Sequence, residues 1–247
     1  MRPGNAIPFC AAIRPAGRRP DCAGNGPPLA SPPRTNPAGG DIALKLYGIP
    51  RSRGIRNIWM AYELGIDFEL VEVAPGPEGS RKPEYVALNP NGHVPFIEDD
   101  GVILWESMAI NLYLARKHGG PLAAANLLEE GQMLSWTAWA LTEVEPNAAQ
   151  AMYHTSMLPE AERQPAKVAE ALAAIAAPLA VLEAALAKGG GWAVGGRFTV
   201  ADLNLYGAIF YLRFTPQALA DKPAIRAWMD ACRARPAAKR TFALRGE

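Results

Sequence analysis

The architecture of the chain follows first from residues 42–73, which read IALKLYGIPRSRGIRNIWMAYELGIDFELVEV. Residues 42–47 alternate between apolar and polar side chains well enough for a short strand. From Ser52 the apolar residues recur at helical spacing as far as Gly65, a natural helix stop, and residues 67–73 return to a period of two. Two strands joined by a crossing helix must be parallel, so this stretch predicts a β-α-β unit.

A hairpin and a second helix are predicted next. The stretches HVPFI (residues 93–97) and VILW (residues 102–105) flank an Asp-Gly step, which is a strong signal for a tight turn between antiparallel strands. Residues 108–118 then show helical spacing and end at two glycines. The order β-α-β, loop, β-β-α predicts an α/β domain over residues 41–121.

The second half, residues 126–240, is dominated by alanine-rich helical periodicity and predicts an all-α domain. Pro146 lies inside one of the periodic segments, where a proline kinks a helix. Another segment opens with a T-x-x-D capping box formed by Thr199 and Asp202, whose side chains satisfy donors at a helix start. The other predicted helices cover residues 127–152, 161–188 and 223–235.

The first forty residues differ from the rest of the chain. Proline and glycine recur every few positions there, and no helical or strand period survives. Such a segment buries too little apolar surface to offset its ordering entropy. Residues 1–40 are therefore predicted to be a disordered tail, or to be included only because the start codon was placed too early. In either case Cys10 and Cys22 have no role in the folded protein.

Composition disfavours several classes of function. Lysine and arginine number 25 against 24 acidic residues, a balance that argues against nucleic-acid binding. No run approaches the roughly 18 continuous apolar residues of a membrane helix, so no membrane partner is expected. The 3 cysteines form no CxxC pair and the 3 histidines lack metal-ligand spacing, which favours a reducing, cytoplasmic compartment and no metal site.

Three short motifs add a family resemblance. They are Tyr47–Arg56 (YGIPRSRGIR), Asn89–Phe96 (NPNGHVPF) and Glu106–Leu114 (ESMAINLYL). In this order, and followed by a helical second half, they resemble the amino-terminal domain of cytosolic glutathione transferases of a bacterial, serine-type kind. The resemblance implies an α/β thioredoxin-like, glutathione-binding domain (βαβ-ββα) followed by an all-α helical-bundle domain.

The resemblance also implies roles at the two later motifs. Ser107 and its amide would hold the γ-glutamyl carboxylate at a helix start, with Glu106 orienting that end of glutathione. The alternative is that Ser107 is a plain helix cap. Val94 would precede a cis Pro95 and pair through its backbone with the cysteinyl part of the tripeptide.

Two residues are candidates for the glycyl end of glutathione. The resemblance places His93 near that end, although a solvent-facing histidine at a strand start fits the sequence equally well. Lys82, in the loop after the second strand, is a reasonable ion-pair partner for the glycyl carboxylate. A solvated surface lysine is the alternative for this residue.

Activation of the thiol is assigned to the first motif. Lowering a thiol pKa of about 8.5 by about two units takes about 2.7 kcal/mol of thiolate stabilisation. By resemblance, Ser52 donates a hydrogen bond to the sulfur, assisted by the helix start and by Arg53. Two alternatives stay open: Ser52 only caps its helix, or Tyr47 is the activating hydroxyl.

The resulting hypothesis is an enzyme that activates the thiol of glutathione for attack on an alkyl or aryl electrophile. Glutathione is then a co-substrate, no bound cofactor is expected, and the resemblance implies a homodimer. Trp136, Trp139 and Tyr153 are candidates for the apolar wall of the electrophile pocket, or else core residues. The alternatives are a glutathione-dependent disulfide or peroxide reductase and a non-catalytic, transferase-like binding module.

Overall fold

The predicted β-α-β unit is present in the computed structural model, which describes residues 44–247. It consists of β1 (Leu44–Gly48), α1 (Gly54–Leu64) and β2 (Glu69–Glu72), and the two strands are parallel as expected. Gly65 ends α1 in the left-handed conformation, with φ of 64°, where glycine is favoured. The predicted tail over residues 1–40 lies outside the described residues.

The hairpin and its closing helix complete a four-stranded sheet. They comprise β3 (Phe96–Asp99), β4 (Val102–Trp105) and α3 (Ser107–His118), preceded by a short α2 (Pro83–Val86). The strand order is β2-β1-β3-β4, with β3 antiparallel to both of its neighbours. β3 begins later than predicted because Pro95 has no N–H to donate to the strand ladder.

The second half is helical, as predicted, but the first of its predicted helices is interrupted. The prediction of one kinked helix over residues 127–152 is replaced by two helices joined by a π-helical turn at Ala140–Val144. Pro146 lies in the first turn of the second helix, the position where a missing N–H costs least. The helices are α4 (Leu127–Trp139), α5 (Glu145–Met152), α6 (Pro165–Lys188), α7 (Val200–Ile209), α8 (Pro223–Ala234) and α9 (Pro236–Ala243).

Helix α7 lies at the centre of the helical domain and is buried almost throughout. The predicted capping box is formed, and Asp202 accepts four hydrogen bonds, from Ala193, from both the amide and the hydroxyl of Thr199, and from the Trp228 indole. Burial nevertheless raises the pKa of Asp202 above its usual range. From the first domain, Trp59 packs edge-on against Tyr206 with ring centroids 5.2 Å apart, so the two domains share one core.

Helix α6 is long and apolar enough, by length and composition alone, to cross a bilayer. Its buried residues nevertheless recur at helical spacing along one face: Ala171, Ile175, Leu179, Leu182 and Leu186. That pattern is typical of a helix that packs on a protein core, and the side chains of Ile175, Leu179, Leu182 and Leu186 belong to the main hydrophobic cluster.

Candidate active site

A cavity of about 790 Å³ lies between the sheet domain and the helical domain. Its walls bring together most of the residues singled out in the sequence: Ser52, Arg53, His93, Val94, Pro95, Glu106, Ser107 and Tyr153. Four candidates do not contribute to its walls: Tyr47, Lys82, Trp136 and Trp139. The cavity therefore contains residues from all three motifs. Of the two candidate activating hydroxyls, it contains that of Ser52 but not that of Tyr47.

Ser52 lies on the loop between β1 and α1, partly exposed in the cavity wall. Its hydroxyl donates to the Ile49 carbonyl at 2.8 Å and accepts from the Gly54 amide at 3.1 Å. The second bond satisfies one of the free donors at the start of α1. Ser52 thus has the contacts of a helix cap, and a hydroxyl proton can rotate toward a ligand.

Tyr47 faces a different environment on the central strand. Its ring stacks on Phe96 with centroids 4.4 Å apart, and its hydroxyl donates to Glu98 Oε2 at 3.1 Å. Burial, reinforced by the Glu98 carboxylate, raises the pKa of Tyr47 to about 12. The hydroxyl of Tyr47 is therefore engaged on the sheet, outside the cavity walls.

The start of α3 forms another wall of the cavity. Glu106 has a φ of 72°, a left-handed conformation that is strained for a residue with a Cβ and is typical of functional sites. Ser107 is buried directly after it, as the first residue of α3, where the helix carries partial positive charge. Its hydroxyl accepts from Arg56 at 3.2 Å, and its carbonyl accepts from the Asn57 amide at 2.8 Å.

The loop before β3 carries the third motif. The Val94–Pro95 peptide bond is cis, as the resemblance implies. Asn89 donates to the His93 carbonyl at 2.9 Å and holds this turn, while His93 itself is exposed. Lys82 was expected to line the cavity, but Arg81 does so instead. Lys82 is exposed at the start of α2 and does not contribute to the wall.

An ion pair between the two domains lies in the wall of the cavity and was not predicted. Arg56, whose side chain is only 3% exposed, approaches Glu145 Oε2 at 2.9 Å. Arg53 donates to the other carboxylate oxygen of Glu145 at 2.5 Å. Arg56 also donates to the Gly207 carbonyl at 2.9 Å. The acidic segment around Glu145 gave no chemical signal in the sequence, because its partners lie on α1 and the preceding loop, far away along the chain.

The helical-domain side of the cavity differs from the apolar wall that was predicted. Trp136 and Trp139 pack edge-on against each other, 5.1 Å apart, and against the main core instead of the cavity. Tyr153 does lie in the wall. The wall residues that sequence reasoning missed include three from the 3₁₀ turn Phe210–Phe214 directly after α7 and two from the carboxyl-terminal segment: Phe210, Tyr211, Arg213, Phe242 and Arg245.

Within residues 44–247, no group of three or more histidine, cysteine or acidic side chains is arranged to hold a metal ion. Cys232 is buried in α8, and burial raises the pKa of its thiol well above the usual range. Such a thiol is unreactive, because the thiolate is the nucleophilic form. The described residues of the cavity wall present hydroxyl, guanidinium, imidazole, carboxylate and backbone groups to a bound substrate.

Comparisons with known proteins agree with this architecture. Residues 42–116 match the family model of the glutathione S-transferase N-terminal domain, and residues 145–236 match that of the C-terminal domain. Glutathione S-transferase 3 of Zea mays is 34% identical over 212 residues, which cover 81% of this chain and 93% of that protein.

Solved structures give the same result. Glutathione transferase F7 from Populus trichocarpa superposes with a TM-score of 0.74 at 28% identity, covering 81% of this chain and 98% of that chain. The theta class glutathione S-transferase from Xanthomonas axonopodis pv. citri, solved with glutathione bound, has a TM-score of 0.71 at 31% identity and coverage of 81% and 97%. The protein is an enzyme that uses glutathione as its co-substrate and transfers it to electrophiles. With a thioredoxin-like domain followed by a helical domain, the chain belongs to the glutathione S-transferase family.

Proposed function

We propose that this transferase is of the serine type, with Ser52 donating the hydrogen bond that stabilises the glutathione thiolate. The observation that carries the proposal is the contrast between two hydroxyls. Ser52 lies in the cavity wall, whereas the hydroxyl of Tyr47 is bonded to Glu98 on the sheet. Ser52 can turn its proton toward a ligand in the cavity by giving up its bond to the Ile49 carbonyl, whereas Tyr47 would have to give up a bond to a carboxylate.

The surroundings of Ser52 favour a negative charge on sulfur. The hydroxyl lies at the start of α1, where unpaired amides carry partial positive charge. Arg53 is next to it, half-exposed and anchored through Glu145. A hydroxyl donor, a helix start and a guanidinium together can supply the roughly 2.7 kcal/mol that a two-unit shift of the thiol pKa requires.

The rest of the cavity suits the ends of the tripeptide. The γ-glutamyl carboxylate is proposed to bind at Ser107 and the start of α3, with Glu106 beside its ammonium group. The cysteinyl backbone is proposed to pair with Val94 next to the cis Pro95. For the glycyl carboxylate, Arg81 replaces Lys82 in the proposal because Arg81 lines the cavity, and His93 lines it from the loop after α2.

The thiolate then attacks the electrophile in the part of the cavity that Tyr153 borders. Among the described residues that line the cavity there is no cysteine, which favours transfer by the glutathione thiolate over a mechanism through a protein thiol. A bacterial source and a cytoplasmic location stay predictions.

We also expect a homodimer. On α4, Leu127 and Leu128 are 83% and 73% exposed, and Leu134 is exposed on the same helix. Exposed apolar side chains of this size mark a surface that another chain can cover. Light scattering of the protein as it elutes from a size-exclusion column gives its molar mass and tests this expectation. A monomer at micromolar concentration would contradict it.

The test of the catalytic assignment compares Ser52→Ala with Tyr47→Phe. Ultraviolet absorbance of bound glutathione, measured against pH, reports the pKa of its thiol in each variant. We expect Ser52→Ala to raise that pKa by about one to two units, which lowers the thiolate fraction about threefold to 25-fold at about pH 7 if the wild-type pKa is about 6.5. Tyr47→Phe should leave it unchanged. An equal rise in both variants, or a rise only in Tyr47→Phe, would overturn the assignment.

A further inference from the structure

We propose that the preferred electrophiles of this enzyme carry an anionic group, such as a carboxylate, which binds between Arg213 and Arg245 on the helical side of the cavity. The inference rests on the proposed function, since it concerns the second substrate of the same site. It names a substrate class and two specificity-determining residues, neither of which was apparent from the sequence motifs.

Both guanidinium groups are held at the cavity wall. Arg245 donates to the Pro50 carbonyl at 3.4 Å, so it lies against the loop that carries Ser52. Arg213 stacks over the rings of Phe210 and Phe214 at 3.8 and 4.2 Å and donates to the Phe210 carbonyl at 3.2 Å. Groups fixed in this way lose little further conformational entropy when an anion binds.

These two cations are poorly compensated by acidic groups. Glu247 lies 3.0 Å from Arg245, 4.0 Å from Arg213 and 3.9 Å from Arg233, so a single side-chain carboxylate serves three guanidinium groups. The side chains of Arg213 and Arg245 are only 26% and 15% exposed, which limits their compensation by water. Burial, together with the neighbouring Arg245, lowers the pKa of Arg213, as expected for a cation short of negative partners.

Glutathione in its proposed position does not supply the missing charge. Among residues 44–247, six arginines line the cavity, and only two glutamates, Glu106 and Glu145, do so. Glu145 is already shared by Arg53 and Arg56. The two carboxylates of glutathione are assigned to the start of α3 and to the loop of Arg81. Of the three other arginines, Arg51 is exposed to solvent, so Arg213 and Arg245 are the partly buried cations for which the second substrate would supply a further anion beside Glu247.

The walls next to this pair indicate the rest of that substrate. Phe210, Tyr211 and Phe242 line the same side of the cavity. Aromatic rings offer flat apolar surface for an aryl group, while guanidinium groups bind carboxylates through paired hydrogen bonds. A substituted benzoate with a leaving group on its ring combines both features.

The chemistry with such a substrate is a substitution on the ring. The sulfur of the glutathione thiolate forms a bond to the ring carbon that carries chloride. The carbon–chlorine bond breaks, and chloride leaves with the bonding electron pair. The thiol proton has already passed to solvent, and the carboxylate on the ring is unchanged, so it acts only in binding.

The experiment compares a chloronitrobenzoate with the corresponding neutral chloronitrobenzamide. The kcat/KM of each is divided by the rate of its uncatalysed reaction with glutathione, which removes the difference in intrinsic reactivity. We expect this corrected ratio to favour the benzoate about tenfold in the wild-type enzyme. Arg213→Gln and Arg245→Gln should each lower it about fivefold to tenfold, an effect typical of losing one charge-assisted contact.

Arg233→Gln is the matched control. Arg233 contacts the same Glu247 carboxylate, but it does not line the cavity. Its replacement removes the same charge from the protein and should leave the corrected ratio within about twofold of wild type.

The outcomes separate this inference from the function on which it rests. Turnover of the amide without any preference for the benzoate overturns the inference alone. An equal fall of the corrected benzoate-to-amide ratio in Arg233→Gln also overturns the inference, because the preference would then come from the overall charge of the protein and not from contact with Arg213 or Arg245. Failure of the wild-type enzyme to conjugate either compound, together with no binding of glutathione at millimolar concentration, overturns the proposed function as well.

Discussion

Replacement of Glu145 by glutamine should destabilise the fold, because this carboxylate is the counter-charge of a buried arginine. Glu145 and Arg56 have side chains only 6% and 3% exposed, and they meet across the two domains at 2.9 Å. Glutamine keeps the shape of the side chain but removes its charge. Arg56 would then keep its hydrogen bonds to Ser107 and Gly207 without a negative partner.

The expected cost follows from these contacts. Removing one partner of a buried ion pair typically costs about 3–5 kcal/mol. The glutamine oxygen can still accept from one guanidinium, and water can solvate the half-exposed Arg53, so we expect a loss of about 2–3 kcal/mol in the free energy of unfolding. Urea unfolding followed by tryptophan fluorescence measures this loss, because buried Trp59 lies in the core that joins the two domains.

Glu143→Gln is the matched control, since Glu143 lies two residues away on the π-helical turn and is exposed. Its free energy of unfolding should change by less than about 0.5 kcal/mol. The double variant Arg56→Met with Glu145→Met should be less destabilised than the sum of the two single variants. A Glu145→Gln variant as stable as Glu143→Gln would refute the reasoning, because it would show that Arg56 does not depend on this carboxylate.

Two further predictions concern stability. Asp202→Asn should lower the free energy of unfolding by about 2–4 kcal/mol, because the new amide nitrogen would face N–H and O–H donors that bind a carboxylate oxygen in the wild type. Urea unfolding measures this loss, and a loss below about 0.5 kcal/mol would contradict the prediction. Hydrogen bonds from Arg197, and then from the Ala125 amide, lower the pKa of Glu129 from 4.5 to about 2. Because the folded-state pKa is depressed, the stabilisation is present above about pH 4.5 and is lost as the pH falls toward about 2. The difference in Tm between wild type and Glu129→Gln should therefore shrink over that range, and a constant difference would exclude this origin.

Much of the fold could be predicted because its signals are local. The strand periods around α1, the Asp-Gly turn before Val102 and the capping box at Thr199 each depend on neighbours within a few residues. Helix α9 was missed, although it starts directly after Arg235 at a proline in its first turn. Its eight residues are too few for a strong helical period.

The site could be predicted only as far as its motifs are contiguous. Lys82 and Arg81 are equally good cations in the sequence, and only the path of the loop selects Arg81 for the cavity wall. Helical periodicity shows that Trp136 lies on the apolar face of α4, but it does not show what covers that face. The sequence therefore could not distinguish a contact with the core from a contact with a ligand. Glu145 gains its role from partners on α1 and the preceding loop, and a single sequence does not reveal such a pairing.

A buried chain of side-chain amides explains how the separate parts of the site keep their spacing. Asn57 on α1 donates to Asn111 on α3 at 2.7 Å, Asn111 donates to Asn204 on α7 at 2.9 Å, and Asn204 donates to Thr137 on α4 at 3.1 Å. Each of these bonds is directional, and a buried amide left unpaired is costly, so the helices cannot shift without losing several bonds together. Helix α1 follows the loop that we propose activates the thiol, and α3 begins at the proposed γ-glutamyl site. The polar network that joins the two domains therefore also fixes the distance between these two proposed subsites, which links stability to catalytic alignment in the proposal.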